Sequence, residues 1–275
     1  MLKKAYIEIT NICNLSCSFC PGTKREARFM GRDEFESVTD ALAGHTGFLY
    51  FHLMGEPLLH PLLGEFLEIA EKKTFRVIIT TNGTLLKDAA PILLSAPALH
   101  RVNISLQSFE GSGGRDMDGY IESVCTFAKS ASEKGIICSL RLWNEGGENS
   151  LNSGIIALLE KQFPDPWENC TKNMRLAQKV FLEHGDKFDW PDLSADERRV
   201  SFCYGLRDQI GILCDGTVVP CCLDSEGSIA LGNIHRESLD SILQSPRARA
   251  IYDGFSGHKA TEELCRRCGY ASRFK

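Results

Sequence analysis

The sequence predicts an α/β fold: a partial (β/α)6 barrel of the TIM type, followed by a small C-terminal cysteine-rich domain. Short β-rich runs alternate with helix-patterned segments up to about residue 185, an order typical of parallel strands joined by right-handed crossovers. These runs have one polar face, and six of the twelve cysteines lie beyond residue 200. These three observations carry the prediction.

Six runs rich in β-branched and aromatic residues predict the strands of the barrel. They are KAYIEIT at 4–10, FLYFHLM at 48–54, FRVIITT at 75–81, RVNISLQ at 101–107, IICSLRLW at 136–143 and the weaker KVFLEH at 179–184. Segments between them, such as DEFESVTDALAGH and HPLLGEFLEIAEKKT, carry apolar residues at helical spacing. The first part of the chain therefore predicts alternating strands and helices.

Side chains alternate across a strand, so each run divides into two faces. One face is mainly Ile, Leu, Val and Phe. The polar face comprises Glu8, Thr10, Tyr50, His52, Thr80, Asn82, Asn103, Ser105, Gln107, Ser139, Arg141 and Trp143. A doubly wound sheet would have near-continuous apolar strands, because helices cover both of its faces. The pattern therefore favours a barrel with an active site inside, its chemistry at the carboxyl ends of the strands.

A polar, turn-rich stretch near residue 185, GDKFDWPDLSADERR, predicts a linker. We therefore expect a barrel domain over 1–188 and a second domain over 189–275. The second domain contains a hairpin-like segment, GILCDGTVVPCC, and a short helix around ESLDSILQS.

Composition restricts the partners of the protein. The net charge is −5, and the scattered Lys and Arg residues do not form the basic stripe of an extended nucleic-acid surface. No run reaches the roughly 18 to 20 apolar residues of a membrane span, and MLKKAYIEITN lacks the features of a signal peptide. We expect a cytoplasmic protein with no membrane partner, and the charge pattern disfavours a nucleic-acid partner while leaving a local contact open. Because cytoplasmic thiols stay reduced, clustered cysteines there favour metal binding over disulfides.

Three cysteines, Cys13-x3-Cys17-x2-Cys20, directly follow the first predicted strand. Each iron of a cubane iron-sulfur cluster is usually held by one cysteine thiolate, so three thiolates leave one iron open, as a catalytic metal site requires. Structural zinc is an alternative, although the loop lacks a paired CxxC or a nearby histidine. Three unrelated buried cysteines are a further alternative, which the polar loop disfavours.

The spacing Cys13-x3-Cys17-x2-Cys20, with Phe19 before the third cysteine, resembles the signature of the radical S-adenosylmethionine (radical SAM) enzymes. Later stretches are also similar to that family: MGEP at 54–57, with Met54 replacing a glycine, TTNG at 80–83, NISLQS at 103–108 and SLRLW at 139–143. The resemblance implies a 4Fe-4S cluster on the three cysteines. It also implies contacts to S-adenosylmethionine from Phe19, Gly55, Glu56, Asn82, Ser105, Gln107 and Arg141.

Several of these residues have alternative roles within the protein. Glu56 could cap a helix that starts near Pro57, and Ser105 could satisfy a neighbouring backbone group. Arg141 lies in an otherwise apolar strand and needs an anionic partner, either a bound carboxylate or Glu8.

The second cysteine group begins with CYGLRDQIGILCDGTVVPC at 203–221 and resembles the SPASM and twitch domains of many radical SAM enzymes. LGNI at 231–234 and Cys265-x2-Cys268 continue the resemblance. It implies one auxiliary iron-sulfur cluster of the 4Fe-4S type, whose ligands are Cys203, Cys221, Cys265 and Cys268. A zinc ribbon is the alternative.

Five cysteines remain outside these two sets. Cys222 is expected to point away from the site that Cys221 faces, because neighbours on an extended strand alternate. We predict a structural role for Cys222 and leave Cys214 open. Cys125 and Cys138 are predicted core residues, and Cys170 is undecided.

The resemblance implies an enzyme that cleaves S-adenosylmethionine reductively and abstracts hydrogen from a peptide or small-molecule substrate. It implies an electron donor such as flavodoxin or ferredoxin, and an auxiliary cluster that accepts an electron, binds substrate or stabilises its domain. A peptide would need a separate partner or direct capture, since there is no room for a leader-binding domain before Cys13. Tyr50 and His52 could contact substrate, without an assigned acid or base role. A non-catalytic electron carrier and a zinc-binding interaction protein are the competing hypotheses.

Overall fold

The computed structural model describes residues 2–274. Its strands are β1 (Lys4–Ile7), β2 (Phe48–Phe51), β3 (Arg76–Thr81), β4 (Leu99–Ser105), β5 (Ile137–Glu145), β6 (Glu168–Asn169), β7 (Met174–Ala177), β8 (Val180–Asp186), β9 (Gln209–Ile212), β10 (Thr217–Val219) and β11 (Gly232–Asn233). Its α-helices are α1 (Arg32–Leu42), α2 (Leu63–Lys72), α3 (Leu86–Leu94), α4 (Gln107–Gly111), α5 (Met117–Glu133), α6 (Asn152–Gln162), α7 (Leu239–Gln244), α8 (Pro246–Ser256) and α9 (Glu263–Arg266). Short 3-10 turns cover Pro57–Leu59 and Tyr270–Arg273.

The strands form one 11-stranded sheet in the order β11-β10-β9-β1-β2-β3-β4-β5-β8-β7-β6. Strands β1 to β5 and then β8 pair in parallel. The predicted (β/α)6 arrangement is therefore confirmed, with the weakest predicted run forming β8. The antiparallel hairpin β6–β7, which the sequence did not indicate, pairs with β8 and continues the sheet on that side.

The C-terminal segment joins the other side of the same sheet. Strand β9 pairs in parallel with β1, and β10 and β11 follow in antiparallel pairing. This pairing covers the edge of β1, which would otherwise expose unpaired backbone groups. It also brings the two cysteine-rich parts of the sequence to neighbouring strands.

The helices bury their apolar faces against the outer side of the barrel. Helix α1 shows why: Phe35, Val38 and Leu42 recur at helical spacing and are fully buried. The Phe35 ring stacks on Phe66 of α2 with 4.1 Å between ring centroids. Across residues 2–274, the helices all fall short of the length and apolar character that crossing a membrane requires. Because the helices cover the apolar face of the strands, the polar face of the strands lines the interior of the barrel.

Candidate active site

The first three cysteines lie in a loop that the protein closes at its base. Thr10 bridges to Phe29 in antiparallel fashion. The Asn11 side chain donates to the Glu26 carbonyl and accepts from the Arg28 N–H, both at 2.8 Å. These contacts hold residues 10–11 against residues 26–29. The loop that carries the three cysteines is therefore anchored at both ends.

Cys13, Cys17 and Cys20 are reduced, with Cys17 half-buried and the other two exposed. Burial raises the pKa of Cys17 to about 11, and the neighbouring thiols Cys20 and Cys13 raise it further. A bound cation would reverse this effect, because a coordinating thiol is deprotonated. The charges of the three thiols therefore influence one another, although no three His, Cys, Asp or Glu side chains within residues 2–274 form a group that could hold a metal ion.

The MGEP segment holds this loop from the other side. Gly55 has a φ of +75°, and a Cβ there would lie 2.4 Å from the Thr10 carbonyl oxygen and 2.9 Å from that of Ile12. The Glu56 N–H donates to the Ile12 carbonyl at 2.8 Å. Only glycine fits this close approach at positive φ, so Gly55 sets the distance between the segment and the cysteine loop.

The Glu56 side chain is satisfied within the protein. Its carboxylate accepts from Thr81 Oγ1 and the Asn82 N–H, each at 2.7 Å, and from the Leu58 N–H at 3.0 Å. The alternative capping role is therefore observed, at a 3-10 turn. A contact from Glu56 to S-adenosylmethionine stays a prediction.

Asn82 and Phe19 both adjoin the cysteine loop. Asn82 Nδ2 donates to Asn14 Oδ1 at 2.9 Å and lies 3.9 Å from Cys13 Sγ. The Phe19 ring packs on α4 so closely that a Cβ at Gly111 would lie 2.7 Å from it. The ends of β3 and β4 thus meet the loop, at the predicted end of the barrel.

An interior cavity of about 360 Å³ opens within the barrel. Its lining includes four of the predicted S-adenosylmethionine contacts, Phe19, Ser105, Gln107 and Arg141. Gly55, Glu56 and Asn82 lie outside this lining, next to the cysteine loop. Other polar-face residues also line the cavity as predicted: Tyr50, His52, Thr80, Asn103 and Trp143.

Two buried polar atoms at this cavity suit a ligand. Gln107 Oε1 and Asn103 Oδ1 are buried and have no hydrogen-bond partner among residues 2–274. Leaving a buried acceptor unpaired costs about 1–3 kcal/mol. Both residues line the cavity, so a ligand with hydroxyl or amino groups would satisfy them.

The protein partner of Arg141 is Glu183, and the expected alternative, Glu8, is wrong. Arg141 Nε lies 3.1 Å from Glu183 Oε2, because β8 places Glu183 directly beside Arg141 in the register. The two terminal nitrogens of the guanidinium make no hydrogen bond within the described part of the chain. They remain available to a ligand carboxylate.

Glu8 instead joins the cysteine loop to the C-terminal segment. Its buried carboxylate pairs with Arg25 Nη2 at 2.7 Å, and Arg25 Nε donates to the Ser225 carbonyl at 2.8 Å. Cys214, which the sequence left open, donates its N–H to Glu8 Oε1 at 3.2 Å. Cys214 therefore has a structural role, because its N–H belongs to the hydrogen-bond network around Glu8.

Replacing Arg25 with methionine is expected to lower the free energy of unfolding by about 3–5 kcal/mol, because it strands the buried Glu8 carboxylate. Chemical denaturation at pH 7 measures the effect. Arg198→Met removes an exposed ion pair with Asp189 and should cost less than about 1 kcal/mol. Equal losses of unfolding free energy in Arg25→Met and Arg198→Met would show that the buried Arg25–Glu8 pair stabilises the fold no more than an exposed ion pair does.

The second cysteine group borders a separate cavity of about 570 Å³, here called the cysteine-lined cavity. Cys203, Cys221, Cys265 and Cys268 all line it. Burial raises the pKa of the last three thiols, and the neighbouring Cys203 raises each of them further. Within residues 2–274, no three His, Cys, Asp or Glu side chains form a group that could hold a metal ion. A cubane cluster instead binds each thiolate to a different iron, so its ligands surround a larger space.

The prediction that Cys222 points away from this site is wrong. Cys222 lines both the cysteine-lined cavity and the interior cavity. Strand β10 ends at Val219, and Cys221 and Cys222 lie in a bend and turn, so strand alternation does not apply to them. Cys125 and Cys138 are buried as predicted, and Cys170 is exposed.

The sequence did not single out several residues of the interior cavity, namely Lys4, Tyr6, Lys187, Phe188 and Trp190. Lys4 and Tyr6 lie on the same face of the first strand as Glu8, because side chains alternate along a strand. Extending the predicted polar face to the start of this strand would have identified them. The last three follow β8 in the chain and carried no local signal.

The surroundings of His52 in the interior cavity disfavour its protonated form. Its burial, with the nearby charges of Arg141 and Lys4, lowers its pKa from 6.5 to about 4. The imidazole is therefore neutral near pH 7. In this state, one ring nitrogen can accept a hydrogen bond from a ligand.

Folding should become less favourable as the pH falls from 6.5 to 5, because the unfolded chain protonates His52 and the folded chain does not. The unfolded imidazole is only half protonated at pH 6.5, so the loss approaches about 1.4 kcal/mol per pH unit only below that pH. We expect His52→Gln to lose about 1.6 kcal/mol less than the parent over this interval, measured by anaerobic chemical denaturation. Identical pH dependence in both proteins would contradict the lowered pKa.

Family models match both halves of the chain. The model described as the radical SAM superfamily matches residues 7–150. A second model, SPASM, described as an iron-sulfur cluster-binding domain, matches residues 203–269. The first includes the cysteine loop, and the second includes the four cysteines of the cysteine-lined cavity.

Curated relatives are similar at modest identity. The antilisterial bacteriocin subtilosin biosynthesis protein AlbA of Bacillus subtilis (strain 168) is 26% identical, over 97% of this chain and 65% of AlbA. The Fe-coproporphyrin III synthase of Methanosarcina barkeri is 26% identical, over 70% of this chain and 47% of that protein. The chain thus spans less than two thirds of the length of these two relatives.

Solved structures share the fold. Streptococcus suis SuiB bound to S-adenosylmethionine has a TM-score of 0.64 at 16% identity, covering 99% of this chain and 74% of SuiB. BtrN in complex with AdoMet and 2-DOIA has a TM-score of 0.59 at 18% identity, covering 98% of this chain and 93% of BtrN.

The superfamily model covers more than half of the chain, and its match includes the cysteine loop and strands β2 to β5. Together the two domains imply 4Fe-4S clusters and S-adenosylmethionine as cofactors. The chain therefore belongs to the radical SAM superfamily and is an enzyme of that family that carries a SPASM iron-sulfur domain.

Proposed function

We propose that this protein is a radical SAM oxidoreductase that abstracts hydrogen from a peptide or small-molecule substrate in the interior cavity. When bound, a cluster on Cys13, Cys17 and Cys20 and S-adenosylmethionine supply the 5'-deoxyadenosyl radical for this step. The observation that carries the proposal is Gln107, whose buried Oε1 has no hydrogen-bond partner within residues 2–274 and which lines the same cavity as Phe19.

The residues of the chain bind and orient the reactants. We assign the free guanidinium nitrogens of Arg141 to the methionine carboxylate, and Gln107 and Ser105 to the ribose hydroxyls. Phe19 packs against α4 and lines the cavity next to the cysteine loop, where its ring limits the access of water. A reactive radical requires such positioning and such exclusion of water.

We propose that Cys203, Cys221, Cys265 and Cys268 would hold an auxiliary cluster, which would supply an electron acceptor or a substrate ligand beside the interior cavity. The two cavities share a wall made of Lys4, Tyr6, Tyr50, Cys222, Leu223 and Tyr270. A cluster with a purely stabilising role would not need to adjoin the substrate space. The initial electron must come from a separate donor, and we propose a flavodoxin or ferredoxin.

Release of 5'-deoxyadenosine tests this function. Anaerobically reconstituted protein receives reductant, S-adenosylmethionine and a cell extract, before and after protease treatment of that extract. We expect the extract to stimulate release, and Cys17→Ala to abolish it. Stimulation lost with protease identifies a peptide, and stimulation that survives identifies a small molecule. No release, even from S-adenosylmethionine alone, would overturn the proposal.

AlbA, named for subtilosin biosynthesis, and SuiB, crystallised with its precursor peptide SuiA, favour the peptide class. BtrN, crystallised with 2-DOIA, favours the small-molecule class. The protease arm of the experiment decides between them.

A further inference from the structure

Lys4 places an ammonium group in the wall between the two cavities. The residue begins β1, is half-buried and lines both cavities. Its chain neighbour Lys3 differs, because Lys3 Nζ pairs with Asp208 Oδ2 at 2.6 Å and is largely exposed. Of these two lysines, Lys4 alone lines the interior cavity.

The Lys4 ammonium makes no hydrogen bond or ion pair with any residue in 2–274. Its Nζ lies 5.2 Å from the ring centroids of both Tyr6 and Tyr50, and Cys222 and Asp208 act on its charge without forming an ion pair with it. Cation–π contacts replace only part of the hydration that a buried ammonium loses. The charge is therefore left without a paired anion.

The interior cavity as a whole is electropositive, although the chain has a net charge of −5. Lys4, Arg141 and Lys187 line it, whereas Glu148 is the one carboxylate among the described lining residues. Glu148 already accepts a hydrogen bond from Ser18 Oγ. Arg141 shares its carboxylate, Glu183, with Arg101, so the positive charge is not fully offset.

A second donor lies beside Lys4. The Tyr50 hydroxyl makes no hydrogen bond within the described part of the chain, and Tyr50 lines both cavities. One ammonium and one hydroxyl match the two oxygens of a carboxylate. Phosphate sites instead gather several backbone N–H or guanidinium donors, which this wall lacks.

We propose that Lys4 and Tyr50 bind a carboxylate of the substrate, so that the substrate is a carboxylate-bearing peptide or small molecule. The inference rests on the proposed function, because it names the substrate class of that same cavity. In a peptide the carboxylate is an acidic side chain or the C-terminus, and in a small molecule it is a carboxylic acid.

Binding of matched probes to the reconstituted holoenzyme with S-adenosylmethionine tests this site. The peptide-like pair is N-acetylglutamate amide and N-acetylglutamine amide, and the small-molecule pair is phenylacetate and phenylacetamide. Ligand-observed NMR should show at least about tenfold tighter binding of one carboxylate over its neutral partner, typical of losing a charged hydrogen bond. The preferred pair indicates which source of carboxylate the cavity takes.

Three variants show which residue causes the tighter binding of the carboxylate probe. Lys4→Met should abolish this preference over the neutral probe, and Lys4→Arg should keep most of it. Lys3→Met should leave it unchanged. Iron content and circular dichroism confirm that each variant folds. Three outcomes would overturn the proposal: equal binding of charged and neutral probes to the parent, no binding of any probe up to about 10 mM, or an unchanged preference in Lys4→Met.

Two readouts keep this inference separate from the proposed function. Affinity for S-adenosylmethionine should be the same in Lys4→Met and the parent, and a weaker affinity would assign Lys4 to the cofactor instead. If release of 5'-deoxyadenosine fails in the parent while the carboxylate preference holds, the catalytic proposal fails and the binding site stands.

Discussion

Gly55→Ala is expected to reduce 5'-deoxyadenosine release by about 100-fold or more, the scale of a roughly 1 Å misplacement in an active site. The added Cβ would lie 2.4 Å from the Thr10 carbonyl oxygen and 2.9 Å from that of Ile12. Both contacts are with backbone, so the cysteine loop itself must shift. The positive φ adds strain of about 1–3 kcal/mol for a residue with a side chain.

Gly47→Ala is the matched control for this substitution. A Cβ at Gly47 meets no atom within 4 Å, and its backbone needs no positive φ. We expect parental activity and parental iron content from this variant. Full activity in Gly55→Ala would show that the MGEP segment does not set the position of the loop.

Cys221→Ala is expected to remove about four of about eight irons per chain, since each 4Fe-4S cluster carries four. Burial raises the pKa of Cys221, and its neighbours Cys222, Cys203 and Cys265 raise it further, so Cys221 lies close to two of its predicted fellow ligands. Iron and labile sulfide assays on anaerobically reconstituted protein measure the change. Release of 5'-deoxyadenosine without substrate should persist, because the loop with Cys13 is untouched.

Cys222→Ala separates the two adjacent thiols. Cys222 lies near Tyr6 and Lys4, on the wall toward the interior cavity, and we expect its loss to leave the iron content unchanged. Loss of about four irons from Cys222→Ala would reassign the ligand. Loss of zinc instead of iron from Cys221→Ala would support the zinc-ribbon alternative.

Local patterns in the sequence determined the barrel and most of the candidate site. Strand alternation depends only on neighbouring residues, so it correctly placed Tyr50, His52, Ser105 and Arg141 at one cavity. The spacing of the first three cysteines is likewise a property of one loop. These features could be predicted because no distant contact changes them.

The tertiary structure decided which segments meet. Glu183 pairs with Arg141 because β8 lies beside β5, and no pattern within either strand carries that register. Cys222 faces both cavities because β10 stops at Val219, before strand alternation could reach it. The unpaired charge of Lys4 depends on β9 and the C-terminal segment packing against β1, since this contact creates the wall between the cavities. Such pairings join residues far apart in the chain, and they become visible only when the fold brings them together.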